Sequence, residues 1–171
     1  EHALRLREQS PLARELPEPL FLNYVLHPRV NEEELCDCRG FFYAQLRGRI
    51  EGLSAREAIL AINEWNAEQV CYRATDERTI SALGAWRSGF GRCGEESTFA
   101  VNVLRAAGIP ARQVYTPRWA HCDDNHAWVE AYCGGKHPGI YGLGHWRESE
   151  DARGNVLIES SPGWAGTYPW I

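Results

Sequence analysis

The chain has 171 residues, 44% of them hydrophobic and 24% charged, with a formal net charge of −5. That length suits one domain with a real core and is short for two, and the composition is that of a folded chain rather than a disordered or fibrous one. The acidic balance and the lack of any Lys/Arg-rich block argue against a nucleic-acid partner, and no apolar run approaches a membrane span.

The chain begins at Glu1 and contains no methionine, so a preceding segment is expected. The apolar "TYPWI" at the other end suggests continuation there too. Compartment is left open, an extracytoplasmic one included. The six cysteines, at 36, 38, 71, 93, 122 and 133, are too sparse for a disulfide scaffold. If one of them is a nucleophile, five remain and cannot all pair, so a mostly reduced set is expected.

In chain order, residues 1–15 read as helical, and "PEPLFLNYVLHPRV" as an irregular segment that pins aromatic and aliphatic side chains onto the rest. "NEEELCDCRGFFYAQLRGRI" reads as a helix opening at Asn31, with acidic residues in its first turn. The clearest helix follows Ser54, which forms a capping-box pattern with Glu57; Ala58, Ala61, Ile59, Ile62, Trp65 and Val70 supply its apolar face. "TDERTISALGAWRSGFGR" reads as turns. From Cys93 the apolar positions Phe99, Ala100, Val103, Leu104 and Ala107 recur at helical spacing until Gly108 and Pro110 end the run. "ARQVYT", "HAWVEAY" and "NVLIES" then read as strands. Helices followed by strands predict an α+β domain.

The stretch "GRCGEESTFA" carries the chemistry. A thiol in the first turn of a helix meets backbone N–H groups without partners and the positive end of the dipole, both of which favour thiolate. Gly91 and Gly94 allow close approach of a substrate, and a neighbouring N–H can hold an oxyanion. Taken alone, a cysteine at a helix start is more often structural. A nucleophile also needs a base, and His126, at the start of a predicted strand 33 residues on, is the candidate. Glu95 and Glu96 invite a catalytic role, but acidic residues in a first turn usually offset the dipole. Arg118, Trp119 and His121 lie on the connection between the two site strands, where substrate contacts gather.

The segment "GRCGEESTFAVNVLRAAGIPARQVYTPRWAHCDDNHAWVE" resembles the core of the transglutaminase-like superfamily, with its Cys at a helix start, its "LRAxGIPAR" turn and its "HAWVE" strand. The resemblance is specific over about residues 85–132. It implies a papain-like core in which the helix bearing the nucleophile packs on a small antiparallel sheet, with residues 1–50 as a helical lead-in and 51–171 as the catalytic core. It implies Cys93 as nucleophile and His126 as general base, then acid, acting on amides of peptide, protein or peptidoglycan type by hydrolysis or transfer to an amine. Hydrolysis is preferred, since nothing specifies an amine site. Family members usually place an Asp or Glu at the end of the next strand, and here the chain instead runs into "CGGKHPGIYGLGHWRESEDARGNVLIESSPGW". Glu159, closing "NVLIE", has the best strand-end context. Glu148 and Asp151 lie in a charged loop, and an ordinary surface glutamate fits position 159 equally well.

That altered segment also motivates a different class of reading, a degenerate domain that keeps the fold and binds peptide or glycan without turnover. Cys36 with Cys38, and His121 with Cys122, Asp123 and Asp124, lack the spacing of a zinc site. No metal and no cofactor is expected. Oligomeric state is left open.

Overall fold

The computed structural model describes residues 1–75, 78–118, 123 and 125–133 with their side chains, and the backbone of strands at 147–150, 156–161 and 164–167. Among these residues the chain builds a helical first half and a sheet-bearing second half, an α+β arrangement.

The start of the chain is more helical, and more broken, than its sequence suggests. Helix α1 (His2–Gln9) stops at Ser10, whose hydroxyl caps the short α2 (Pro11–Arg14) by accepting from the Leu12 N–H. The segment expected to be irregular is α3 (Glu18–Phe21) continued by a π-helical turn, Leu22–Leu26. It does pin apolar side chains as expected: Phe21 and Val25 pack with Ala3 in a satellite cluster. Helix α4 begins at Arg39 and ends at Ile50, seven residues later than an N-cap at Asn31 would place it. The acidic residues before it serve another purpose. Glu33 is buried and accepts from the N–H groups of Val30 and Asn31, so its carboxylate satisfies a loop and not a helix end.

Helix α5 (Ala55–Gln69) follows its capping box: Ser54 accepts from the Glu57 N–H and Glu57 accepts from the Ser54 N–H. Its buried face, Ala58, Ile59, Ile62 and Trp65, meets Phe42 and Leu46 of α4 in the main core. The stretch read as turns holds α6 (Ala82–Ser88), capped by Ser81 and ended by Gly89 in the left-handed region. Strands β1 (Cys71–Tyr72) and β2 (Phe90–Gly91) pair in parallel on either side of it and deliver the chain to Cys93.

Helix α7 (Cys93–Ala106) is the axis of the molecule, touching α4, α5 and α6 as well as the sheet. From Ser97 to Ala106 only Ala100 escapes full burial, the mark of an interior helix rather than an amphipathic surface one. Phe99 stands edge-on to Phe42 at 5.5 Å and stacks on Trp65 at 6.1 Å. The polar groups on this helix are matched: Asn102 donates to the Thr98 carbonyl, and Arg105 donates to the carbonyls of Ala111, His27 and Arg29. At its end Gly108 adopts φ 82°, with Gly108 N–H bonded to Arg105 O and Ile109 N–H to Leu104 O, a Schellman stop.

The sheet is antiparallel in the order β3-β4-β7-β6-β5, built from β3 (Ala111–Thr116), β4 (His126–Tyr132), β5 (Arg147–Glu150), β6 (Val156–Ser161) and β7 (Trp164–Thr167). The pairing of β3 with β4 runs from Ala111↔Ala131 to Thr116↔His126. Ala127, Val129 and Ala131 are buried on the side that packs on α7, the period of two expected of a half-buried strand.

Candidate active site

Cys93 is the first residue of α7, and its thiol is half-buried. Arg92 stands at the N-cap in extended conformation, and its carbonyl is the first to accept, from the N–H groups of Glu95 and Glu96 at 2.9 Å each. The N–H groups of Cys93 and Gly94 therefore lie ahead of the helical ladder, among the donors that a helix start leaves for other acceptors. Beside a thiol that attacks a carbonyl, such donors suit a developing oxyanion.

Glu95 clasps the helix start. Its buried carboxylate accepts from the Arg92 N–H at 3.0 Å, from the Thr75 hydroxyl at 2.9 Å and from Arg78 Nε at 2.7 Å. This is one half of a capping box; the Arg92 side chain is a donor and cannot supply the other half. Gly91 is needed for the clasp, because a Cβ there would meet the Glu95 Cβ at 2.8 Å. Glu96, one residue on, has its carboxyl pushed up to about 7, first by burial and then by the charge of Glu95.

From the sheet side, Gln113 of β3 ties down the same turn. Its amide donates to Gly94 O at 3.0 Å and to Ser97 Oγ at 2.7 Å, while Ser97 donates to the Cys93 carbonyl at 2.5 Å. Asn31 holds the other end of Gln113 at 3.0 Å. The backbone that carries the thiol is thus fixed from the loop, the helix and the sheet. Sequence reasoning missed Gln113 and Arg78, since nothing local marks them; Gly91 was noticed for approach of substrate rather than for packing.

Cys93 opens into a cleft of about 60 Å³ whose walls include Arg92, Gln113, Tyr115, Asn125 and Ala127. A larger groove of about 730 Å³ lies between residues 9–12 and the end of α4, and no Cys or His lines it. Asn125 and Ala127, the two neighbours of His126, thus stand in the wall beside Cys93. The imidazole of His126 stacks on Trp128 at 6.1 Å and 22°. The other described histidines are remote: His2 donates to Ala106 O and the His27 carbonyl accepts from Arg105, both at the far end of α7, roughly 20 Å away at 1.5 Å per residue.

Glu159 lies on β6, and its side chain is outside the described residues. Its backbone is opposite Ala165 of β7, which is opposite Ala131 of β4. Glu159 is thus two strands across and level with a residue five positions beyond His126, roughly 10 Å by 16 Å at ordinary strand spacings. The sheet does not bring these two together. Trp119, His121, Cys122, Asp124 and Asp151 lie outside the described residues. Arg118 and Asp123 form an exposed ion pair with each other.

The described cysteines, 36, 38, 71, 93 and 133, are thiols. Cys38 is the counterexample to Cys93: burial, reinforced by Cys36, pushes its thiol up to about 12, which makes it inert.

A thiol at the N-terminus of an interior helix, packed on an antiparallel sheet, defines the papain-like α+β class. The chain belongs to the transglutaminase-like superfamily, whose sequence profile matches residues 44–146, more than half its length. None of the curated proteins matches it. Among solved structures it is similar to a "putative cysteine protease" from Cytophaga hutchinsonii, with 22% identity and a TM-score of 0.55 over 94% of this chain. A "putative protease" from Parabacteroides distasonis gives 17% identity and a TM-score of 0.48 over 61% of this chain and 23% of that one. The chain spans 51% of the Cytophaga chain.

Proposed function

We propose that the chain is a cysteine-dependent amide hydrolase acting on peptide, protein or peptidoglycan-type amides. The observation that carries this reading is the half-buried Cys93 thiol at the start of α7, in a cleft walled by the two neighbours of His126. Cys93 Sγ attacks the amide carbon while His126 accepts the thiol proton. The N–H groups of Cys93 and Gly94 receive the oxyanion, the C–N bond breaks, and His126 returns the proton to the departing amine. Water then attacks the thioester with His126 again as base, and the thiol is restored. An amine in place of water would give acyl transfer.

In this cycle the imidazole stands within hydrogen-bond reach of the Cys93 thiol in the substrate complex. The orienting acid expected at Glu159 is left out of the cycle, because its register position is level with Ala131. Glu159→Gln tests that omission: a loss of rate as large as that of His126→Ala would restore Glu159 to a triad.

The stacking of His126 on Trp128 also favours a second reading, a domain that binds amides without turnover. Alkylation of each cysteine by iodoacetamide, read by mass spectrometry near pH 6, separates the two. An enzyme shows selective labelling of Cys93, lost in His126→Ala, because an ordinary thiol titrates near pH 8.5. Labelling of Cys93 no faster than that of exposed Cys71, with no effect of the substitution, would leave the binding domain. With a cleaved amide in hand, His126→Ala should lower kcat by about 10²–10⁴-fold.

A further inference from the structure

Arg92 stands where a helix least wants it. The N-cap favours Ser, Thr, Asp or Asn, whose oxygens accept from the first turn, and a cation there opposes the dipole. Its guanidinium has little to hold it. Nη2 donates to the Arg78 carbonyl at 2.9 Å, and Nε is buried with no hydrogen-bond partner. Among the described residues no carboxylate pairs with it. The acid nearest in the cleft wall, Glu95, is taken by Arg78, Thr75 and the Arg92 backbone N–H. Arg92 thus lines the cleft beside Cys93, together with Asn31, Gln113 and Asn125, with no carboxylate partner among the described residues.

A cation that works against its own helix and has no carboxylate partner among the described residues is explained by an anionic partner that arrives from outside. Guanidinium is the group best matched to a carboxylate. We propose that Arg92 receives a carboxylate of the substrate next to the scissile amide, so that the preferred substrates are amides with a neighbouring acidic group. This rests on the hydrolase reading above and adds the substrate class to it. Arg92 is then a specificity residue, adjoining the nucleophile in sequence and sharing its cleft.

The test compares matched ligands on the full chain. In binding, N-acetyl-glutamate α-amide is compared with N-acetyl-glutamine α-amide, and N-acetyl-alanine with its amide, so that a side-chain carboxylate is told from a terminal one. The wild-type chain should bind one of the acidic ligands about tenfold more tightly than its neutral match, as a charge-assisted pair implies. In Arg92→Gln that ratio should fall to about one, and in Arg92→Lys it should be partly kept. Turnover of the corresponding Glu and Gln anilides should show the same ratio, expressed chiefly in KM. No preference in the wild-type chain, or a preference that survives in Arg92→Gln, would overturn the proposal. The binding ratios need no turnover, so they stand even if every anilide is left intact, a result that would count against the hydrolase alone. If Arg92 served only the helix, Arg92→Gln would change melting temperature and leave the ratio as it was.

Discussion

Two glutamates in one turn have different surroundings. Glu95 has three donors aimed at its buried carboxylate. Glu95→Gln removes the partner of Arg78 and should cost about 2–3 kcal/mol of stability, measured by urea unfolding, with slower alkylation of Cys93 as the helix start loosens. Glu96 has burial and a like charge against it, and its carboxyl stands at about 7 instead of the ordinary 4.5. The folded state therefore holds a proton between about pH 4.5 and 7 that the unfolded chain releases. The stability linked to that proton is complete below 4.5 and is lost as pH rises toward 7. Glu96→Gln, which mimics the protonated form, should match the wild-type melting temperature near pH 4.5 and exceed it near pH 8. A difference that was equal at both values would mean Glu96 is not the group titrating. Among the thiols, Cys38, held up to about 12, should stay unlabelled by iodoacetamide in the folded protein at any pH below 9.

At the scale of elements, what was readable were the helices with strong local punctuation. Ser54 with Glu57 announces α5, and Gly108 with Pro110 announces the end of α7, because caps and stops are satisfied within a few residues of chain. Gly108→Ala should cost about 1–2 kcal/mol for the left-handed backbone alone, and more because its new Cβ would lie 3.0 Å from that of Ala13; thermal unfolding checks it. Other elements were misread. The turn-rich look of residues 75–92 hid α6, although Ser81 and Gly89 bracket it. Asn31 resembled a cap, yet Glu33 turned back onto the loop and postponed α4 to Arg39. The π-helical turn at Leu22–Leu26 has no local signature; what holds it is the burial of Phe21 and Val25 against Ala3.

Across the whole molecule, Arg105 joins the N-terminal segment to the end of α7 and the start of β3. It donates to His27 O and Arg29 O on one side and Ala111 O on the other, and burial together with Arg39 pulls its guanidinium down to about 10, against the counter-pull of Glu33 and Tyr24. Arg105→Ala strands three carbonyls and the charge of Glu33, and should cost about 3 kcal/mol or more. Hydrogen exchange should then show residues 1–30 opening before α7. Equal protection across both parts would show that the lead-in is held by its apolar contacts instead.

By itself the sequence determined the class of the fold and the family, and it marked Cys93 at its helix start and the strands that follow, because periodicity, caps and a contiguous motif are local and survive without the rest of the chain. Tertiary structure alone decided which groups surround the thiol. Gln113, Arg78 and Thr75 come from 20 residues downstream and from 15 and 18 upstream, and no spacing rule connects them to Cys93. It also decided that β7 rather than β6 lies beside β4, which moves position 159 away from His126, and that the imidazole rests on Trp128. Strand order and side-chain face are settled by pairing across the sheet, where a shift of one residue reverses every side chain, and that choice is made by the packed core rather than by any short stretch of sequence.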